Sequence, residues 1–359
     1  MDIIVVMKAG ADADDVQRVV DRVAELGLVP HPSHGEFRTI IGAIGERTLQ
    51  AQQQLEQLPG VDEVMAISQP YKLASREFHE ADTILDIAGI RVGGPHVNII
   101  AGPCAIESRE ILFDVGRAIK DAGASILRGG AFKPRSSPYS FQGKGREGLK
   151  ILEEAGRELA MPTITEVVDP RDVEVVYQYA DMFQIGARNM QNFNLLLEVG
   201  KTDKPVFIKR GLSATITELL MSAEYVLSQG NHRVILCERG IRTFGTETRF
   251  TLDVSSVPVL QERCHLPVFV DPSHAAGKRD LVPALALAGI AAGASGAIVE
   301  VHSCPDRALC DGPQAVLPNN FIKLMDQIKQ IAEVVGHRVT LWGREDVRPR
   351  RAAAGGWGG

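Results

Sequence analysis

The sequence predicts an α/β protein: a (β/α)8 barrel that carries a small N-terminal ferredoxin-like (βαββαβ) domain. Three observations predict it. Residues 1–67 read as strand, helix, strand, strand, helix, strand. From residue 97 onward, short apolar runs alternate eight times with helix-length segments, their starts roughly 20 to 35 residues apart, which suits a βα unit. Each of these runs also ends in polar or ionisable residues, always at the same end. A doubly wound open sheet is the alternative, because alternation alone does not close a barrel.

The elements follow in order. "DIIVVMK" is an apolar strand, and Val16, Val19, Val20, Val23 and Leu26 then repeat at helical spacing, with Gly27 placed as the C-terminal cap. "LVPHPSHGEFRTIIGAIG" reads as two strands joined around Ser33–Gly35. A second helix covers roughly Thr48–Leu58, ended by Pro59-Gly60, and "VDEVMAI" is the last strand of the unit. Residues 68–96 hold two turn signals and two short β-like runs and read as a connector. The eight barrel strands are "VNIIAG" (97–102), "SILRG" (125–129), "MPTITE" (161–166), "DMFQIG" (181–186), "PVFIKRG" (205–211), "RVILCERG" (233–240), "LPVFVDP" (266–272) and "GAIVEVH" (296–302). A final helix shows Phe321, Leu324, Met325, Ile328, Ile331 and Val335 on one face. The barrel is thus expected over 97–338. Residues 339–359 are dominated by Gly, Ala and Arg without periodicity and are expected to be a disordered tail.

Bulk properties narrow the function. The 359 residues are 45% apolar, with a net charge of −6, which argues against bulk nucleic-acid binding. No apolar run approaches a membrane span, and the acidic N-terminus does not read as a signal peptide. Five cysteines, at 104, 237, 264, 304 and 310, are odd in number and irregularly spaced, which fits a reducing cytoplasm better than a disulfide framework.

In a barrel the strand ends form one mouth, where active sites sit. Two chemical sets converge there. Cys104, His274, Glu300 and Asp311 offer a thiolate, an imidazole and two carboxylates, a donor set suited to a divalent transition ion such as Mn, Fe, Co or Zn. Taken singly each has a bland alternative: Cys104 as a small buried hydrophobe, His274 as a satisfied helix-start residue, Asp311 as a turn former. The second set is cationic: Arg128, Lys133, Arg135, Arg188, Lys209 and Arg239. Six cations at one mouth would repel one another unless anions bind, which points to phosphorylated or carboxylated substrates. Schiff-base chemistry at Lys209 is a minor alternative.

The stretches "AGPCAIES", "LRGGAFKPRSSPYSFQG", "IGARNMQN", "VFIKRG", "ILCERGIRTF", "VDPSHAAGKRD" and "IVEVHSCPDRALCDGPQ" resemble the 3-deoxy-arabino-heptulosonate 7-phosphate (DAHP) synthases, in the type I beta subtype with an N-terminal ferredoxin-like regulatory domain. The match runs from residue 1 to about 337. The resemblance implies condensation of phosphoenolpyruvate with erythrose 4-phosphate, the first step of the shikimate pathway. It implies a metal, manganese first, held by Cys104, His274, Glu300 and Asp311. Arg128, Lys133, Arg188 with the adjoining Ala187, Lys209 and Arg239 would hold phosphoenolpyruvate. Arg135 and Ser136 of "KPRSS" would meet erythrose 4-phosphate; the usual segment is KPRTS, and Ser136 keeps the hydroxyl. Related octulosonate 8-phosphate synthases, which use arabinose 5-phosphate, carry a KANRSS-like segment there. Lys133 would donate a proton and Glu166 position the water. His31 and Ser33 would contact an aromatic amino acid, tyrosine or phenylalanine, as feedback inhibitor, with chorismate and prephenate as alternative regulators. A homotetramer is also implied. Cys304 and Cys310 depart from the family pattern, Cys310 standing where Ser is common, and both read as neutral variation. A non-catalytic sensor on a dead barrel would lack ligands or cations, and neither set is missing.

Overall fold

The computed structural model describes residues 3–35, 38–45, 49–66, 70–134 and 137–340. Its N-terminal unit runs β1 (Ile3–Met7), α1 (Ala13–Glu25), β2 (Val29–His34), β3 (Thr39–Ile44), α2 (Leu49–Glu56) and β4 (Val61–Ala66). The antiparallel sheet has the order β2-β3-β1-β4, that of a ferredoxin-like sandwich. The side-chain period of two explains why β1 is apolar throughout. Ile3, Val5 and Met7 pack with Val19, Val23 and Leu55 of the helices. Ile4 and Val6 belong instead to the main core, with Tyr71, Leu73 and Phe78. Asp12 caps α1 by accepting from the Asp15 amide at 2.8 Å, and Gly27, just past the helix end, takes φ +75°.

The connector read from the sequence has two structural duties. Tyr71–Phe78 packs under the small sheet. A hairpin, β5 (Leu85–Ile87) and β6 (Ile90–Val92), then sends Leu85, Ile87, Ile90 and Val92 into one cluster with the barrel interior. It meets the starts of the barrel strands: Thr83 N donates to His265 O at 2.8 Å, and the Arg233 guanidinium donates to Asp86 O. The hairpin therefore plugs the end of the barrel opposite the mouth.

Eight parallel strands follow: β7 (His96–Gly102), β8 (Ile126–Arg128), β9 (Thr163–Glu166), β10 (Met182–Ile185), β11 (Val206–Lys209), β12 (Val234–Glu238), β13 (Val268–Val270) and β14 (Gly296–Glu300). Neighbours pair in sequence order, and β14 pairs with β7, Gly296 with Asn98 through Glu300 with Gly102. That seam closes the barrel and rules out the open sheet. Ile100, Ile126, Ile164, Met182, Phe207, Ile235, Phe269 and Ile298 fill its inside. The helices form the outer layer; the last, Pro318–Val334, buries Phe321, Leu324, Met325 and Ile328 as its periodicity predicts. Arg338–Val339 adds to β7 outside the barrel, so order runs just into the segment expected to be a tail. The remainder of that segment, 341–359, lies outside the described residues.

Candidate active site

The strand ends bring the sequence-predicted ligands together. Cys104 sits in the loop after β7, His274 on the short helix Pro272–Ala276 after β13, Glu300 at the last residue of β14 and Asp311 in the loop beyond it. One donor atom from each lies within 4.8 Å of all the others. Cys104 Sγ is 3.1 Å from Asp311 Oδ2, and His274 Nε2 is 3.5 Å from Glu300 Oε1. Asp311 holds the left-handed backbone conformation, φ +51°, which a short polar side chain tolerates better than most.

Two of the donors, His274 and Glu300, are held from behind. His274 Nδ1 is 2.7 Å from Asp271 Oδ2, so the hydrogen-bond network assigns the proton to Nδ1 and leaves Nε2 its lone pair. Asp271 also caps the short helix, accepting from His274 N at 3.0 Å, and pairs with Lys209 Nζ at 2.5 Å. Glu300 Oε2 accepts from Gln314 Nε2 at 2.8 Å, and Glu300 N–H donates to Ser273 Oγ at 3.0 Å. Glu300 Oε1 is buried, 3.1 Å from Arg128 Nη2 but in no hydrogen bond of acceptable geometry. A soft sulfur, an imidazole nitrogen with its lone pair inward and two carboxylates, one with a free buried oxygen, fit a divalent transition ion.

The electrostatics keep the acidic donors charged, while contact with Cys310 and then burial push the Cys104 thiol up. Burial opposes charge on Asp271, yet His274 and Lys209 outweigh it and hold the carboxyl well below its ordinary range. Burial likewise opposes charge on Glu300 and Asp311, but His274 keeps both lowered, helped by Arg128 at Glu300 and by the Cys104 hydrogen bond at Asp311. Burial pushes His274 down, against the pull of Asp271 and Glu300. The Lys133 ammonium is held above its ordinary value despite burial, because Cys104 and Glu166 face it. Its Nζ is 3.0 Å from Cys104 Sγ.

A cavity of about 250 Å³ opens beside the cluster. Lys133, Glu166, Ala187, Arg188, Lys209 and Arg239 line it, together with His274 and Asp311. Glu166 fits because Gly186 has no side chain: a Cβ there would lie 2.0 Å from Glu166 Oε1. Arg128 stands behind the cluster, paired with Glu300. Arg239 stacks over the Phe250 ring at 4.4 Å, and its buried Nη1 has no hydrogen-bond partner, as is also true of Arg128 Nη1. Arg188 donates to Pro134 O. Arg135 and Ser136 lie outside the described residues. The expected mutual repulsion of the cations is relieved in part within the protein, since Arg128 has Glu300 and Lys209 has Asp271. His31 and Ser33 stand apart from this site on β2, an edge strand; Ser33 borders a second cavity of about 930 Å³, and burial, then His232, lowers His31.

Three residues of the site went unassigned in the sequence. Asp271 carried a signal, since an acid three residues before a helix-start His is an N-cap that can also reach the ring. Gln314 and Arg249 carried none. Gln314 bridges the site, its amide nitrogen on Glu300 and its oxygen 3.0 Å from Arg249 Nη1. Arg249 reaches the cavity from the long loop after β12.

The fold and site define a barrel enzyme with a carboxylate, imidazole and thiol cluster beside a cation-lined cavity. Residues 82–336 match the DAHP synthetase I family, and residues 3–69 match the DAHP synthase ferredoxin-like domain. The chain belongs to the DAHP synthetase I family, in the group that carries this N-terminal domain. It is 47% identical over 336 residues to the phospho-2-dehydro-3-deoxyheptonate aldolase of Thermotoga maritima, covering 94% of this chain and 99% of the relative. The crystal structure of the Thermotoga maritima protein superposes with a TM-score of 0.75 at 46% identity, again over 94% and 99% of the two chains. A truncated form of the 3-deoxy-D-arabino-heptulosonate 7-phosphate synthase from the same organism covers 74% of this chain and 98% of its own, with a TM-score of 0.70. The 2-dehydro-3-deoxyphosphooctonate aldolase of Syntrophobacter fumaroxidans is 32% identical over 268 residues, 70% of this chain and 92% of the relative. No helix among the described residues is long and apolar enough to cross a membrane.

Proposed function

We propose that the protein condenses phosphoenolpyruvate with erythrose 4-phosphate and water, giving 3-deoxy-arabino-heptulosonate 7-phosphate and phosphate. The observation that carries this reading is the four-donor cluster set against a cation-lined cavity at one barrel mouth. Cys104, His274, Glu300 and Asp311 would hold the metal, manganese first among Mn, Fe, Co and Zn. A divalent ion there supplies Lewis acidity toward the aldehyde oxygen.

The chain's own residues account for the rest. Lys209, Arg239, Arg188 and Arg128, with the Ala187 backbone, grip the carboxylate and phosphate of phosphoenolpyruvate, and ligand oxygens would complete the unpartnered guanidinium nitrogens of Arg128 and Arg239. Arg135 and Ser136 meet erythrose 4-phosphate. With both held, the enol carbon reaches the aldehyde carbon. Lys133, kept cationic by its anionic neighbours, donates a proton to the new alkoxide. Glu166 orients the water that adds at the phosphate-bearing carbon. C–O cleavage then releases phosphate, whose charge the Arg and Lys groups stabilise. Holding two anions together against their repulsion supplies much of the rate.

The regulatory reading assigns residues 1–67 as the sensor, with His31 and Ser33 meeting tyrosine or phenylalanine, in a cytoplasmic homotetramer. Effector control requires that the ligand favour one arrangement of the small domain over another. The reading with arabinose 5-phosphate as substrate is less favoured: the heptulosonate relative is more similar than the octulosonate one, and the ferredoxin-like domain matches the first group.

The test is steady-state turnover with each aldehyde, with and without chelator, and with each aromatic amino acid. Erythrose 4-phosphate is expected to be preferred, and turnover to vanish on chelation and return with Mn. Preference for arabinose 5-phosphate, or full activity in chelator, rejects the reading.

A further inference from the structure

The loop that presents Asp311 leaves β14 at Val301 and makes two tight turns, Pro305–Arg307 and Gly312–Gln314. The turns close on each other, since a Cβ at Gly312 would lie 2.1 Å from Pro305 O. Across the seam, the loop after β7 carries Glu107 three residues beyond Cys104. Glu107 Oε1 accepts from Leu309 N at 2.8 Å, over 202 positions of chain, and only 6% of its side chain is exposed. We infer that Glu107 is a positioning residue for the metal site: its carboxylate, faced by His302, clamps the Leu309 amide and so holds Asp311 within reach of Cys104. The consequence for metal rests on the reading of Cys104 and Asp311 as ligands; the clamp itself does not.

Glu107 itself stands between two anchors. Ile106 N donates to Gly130 O at 2.9 Å, and Ser108 caps the helix Arg109–Ala122 by accepting from Ile111 N at 3.2 Å. His302, only 3% exposed, lies against the carboxylate. Cys304 N donates to His302 Nδ1 at 3.0 Å, so the hydrogen-bond network assigns the ring proton to Nε2. That buried Nε2 has no hydrogen-bond partner and lies 3.6 Å from Glu107 Oε1. The separation is too long for a hydrogen bond, yet close enough for the ring proton to attract the carboxylate.

Asp311 needs a hold from outside its own turn. Its backbone is left-handed, φ +51°, a conformation that a non-glycine residue keeps only where its surroundings impose it. A second tie on this loop, Arg279 to Asp306 at 2.6 Å, lies at the surface with Asp306 83% exposed, and such pairs contribute little. A backbone N–H held by a shielded carboxylate is the stronger kind of contact. Release of Leu309, two residues before Asp311, would let the Asp311 carboxylate leave Cys104 Sγ, which is 3.1 Å from its Oδ2. It would also disturb the turn that carries Gln314, the donor to Glu300. Two of the four metal-site carboxylate and thiol contacts thus depend on one acid outside the donor set.

The experiment uses the full chain, with Mn as the probe. Glu107→Ala is expected to lose about 10–100-fold in Mn affinity by equilibrium dialysis. Glu107→Gln, whose amide oxygen still accepts from Leu309 N, is expected to recover most of it. Leu309→Pro removes the donor; Ala308 before it, at φ −64° and ψ 136°, already has the extended backbone that precedes proline. It is expected to match Glu107→Ala, and the double variant to be no worse than either, because both cut one hydrogen bond. In the metal-free protein, amide exchange over 303–311 is expected to speed up in Glu107→Ala while the barrel strands keep the parent's rates. Full Mn affinity in Glu107→Ala, additive losses in the double variant, or equal losses in Glu107→Gln and Glu107→Ala overturn the clamp. If Glu107→Ala does not fold, Leu309→Pro against Glu107→Gln carries the test: the first is expected to lose Mn and the second to keep it, and the reverse overturns the clamp. If exchange rises locally but the parent never binds Mn, the ligand reading fails while the clamp stands.

Discussion

Asp271 Oδ2 lies 2.7 Å from His274 Nδ1, on the side of the imidazole turned away from Glu300. The contact fixes both ring orientation and tautomer, and the same carboxylate neutralises Lys209. Asp271→Asn is expected to weaken Mn binding by about 10–100-fold. It also leaves Lys209 buried without its counter-charge, so the melting temperature should fall. Equilibrium dialysis beside a thermal melt checks both; unchanged affinity in a folded variant would show that the pair is not a metal support.

Gln314 links Glu300 to Arg249 through opposite ends of one amide. Gln314→Leu removes a donor from a buried carboxylate and an acceptor from the cavity rim. Metal affinity is expected to drop by about 10-fold or more, and Gln314→Glu, which sets a second acid against Glu300, to be worse. A Leu variant with normal Mn titration would contradict the positioning role.

Arg239 keeps a buried, unpartnered nitrogen at the cavity. Under the proposed assignment, Arg239→Ala should raise the KM for phosphoenolpyruvate by about 10–100-fold, the worth of a hydrogen bond to a charged group. The KM for the aldehyde should change little. Equal effects on both substrates would count against a phosphoenolpyruvate contact.

Arg210, next to Lys209, faces the other way. It pairs with Glu238 and Asp253, each at 2.9 Å, and has no part in the cavity lining. Glu238→Ala is expected to destabilise the fold by about 3–5 kcal/mol, because Arg210 is left under-compensated inside. Activity per folded molecule should survive. Urea denaturation with active-site titration separates the two effects.

His265 gives the pH prediction. Its Nε2 is 2.7 Å from Leu73 O and its Nδ1 2.6 Å from Thr83 Oγ1, a pattern that the neutral ring satisfies. Burial lowers its pKa from 6.5 to about 4, and His79, with its ring centroid 4.7 Å away, adds to the shift. The unfolded chain therefore binds the proton first. Stability is complete above about pH 6.5 and is lost as pH falls toward 4, by about 3 kcal/mol from this group. Denaturation midpoints from pH 7 to 4 should show this slope, and His265→Gln should flatten it. An equally steep slope in the variant would assign the acid sensitivity elsewhere.

Much of this was readable in advance, for physical reasons. Strands buried on both faces read as apolar runs, so all eight barrel strands stood out. Cys104, His274, Glu300 and Asp311 were visible as strand-end residues. Closure was not, since it is a relation between Asn98 and Gly296 rather than a property of either. The direction of Arg210 was legible in principle, because neighbours on a strand point to opposite faces. The plugging hairpin looked like a connector, because three-residue strands leave too little pattern to declare a buried face. The contact between Cys104 and Cys310 depends on two loops meeting across the seam, which no spacing encodes.

The hairpin of residues 85–92 seals the barrel with material that sits between the ferredoxin-like unit and the first barrel strand. The stopper thus travels with the barrel, not with the small N-terminal unit. That unit can be lost, exchanged or grafted upstream of it without uncorking the apolar interior, whereas a cut that removes the hairpin would expose Ile100, Phe207 and Phe269 to water. The boundary at which such an enzyme can trade its N-terminal domain is set by where its cork begins.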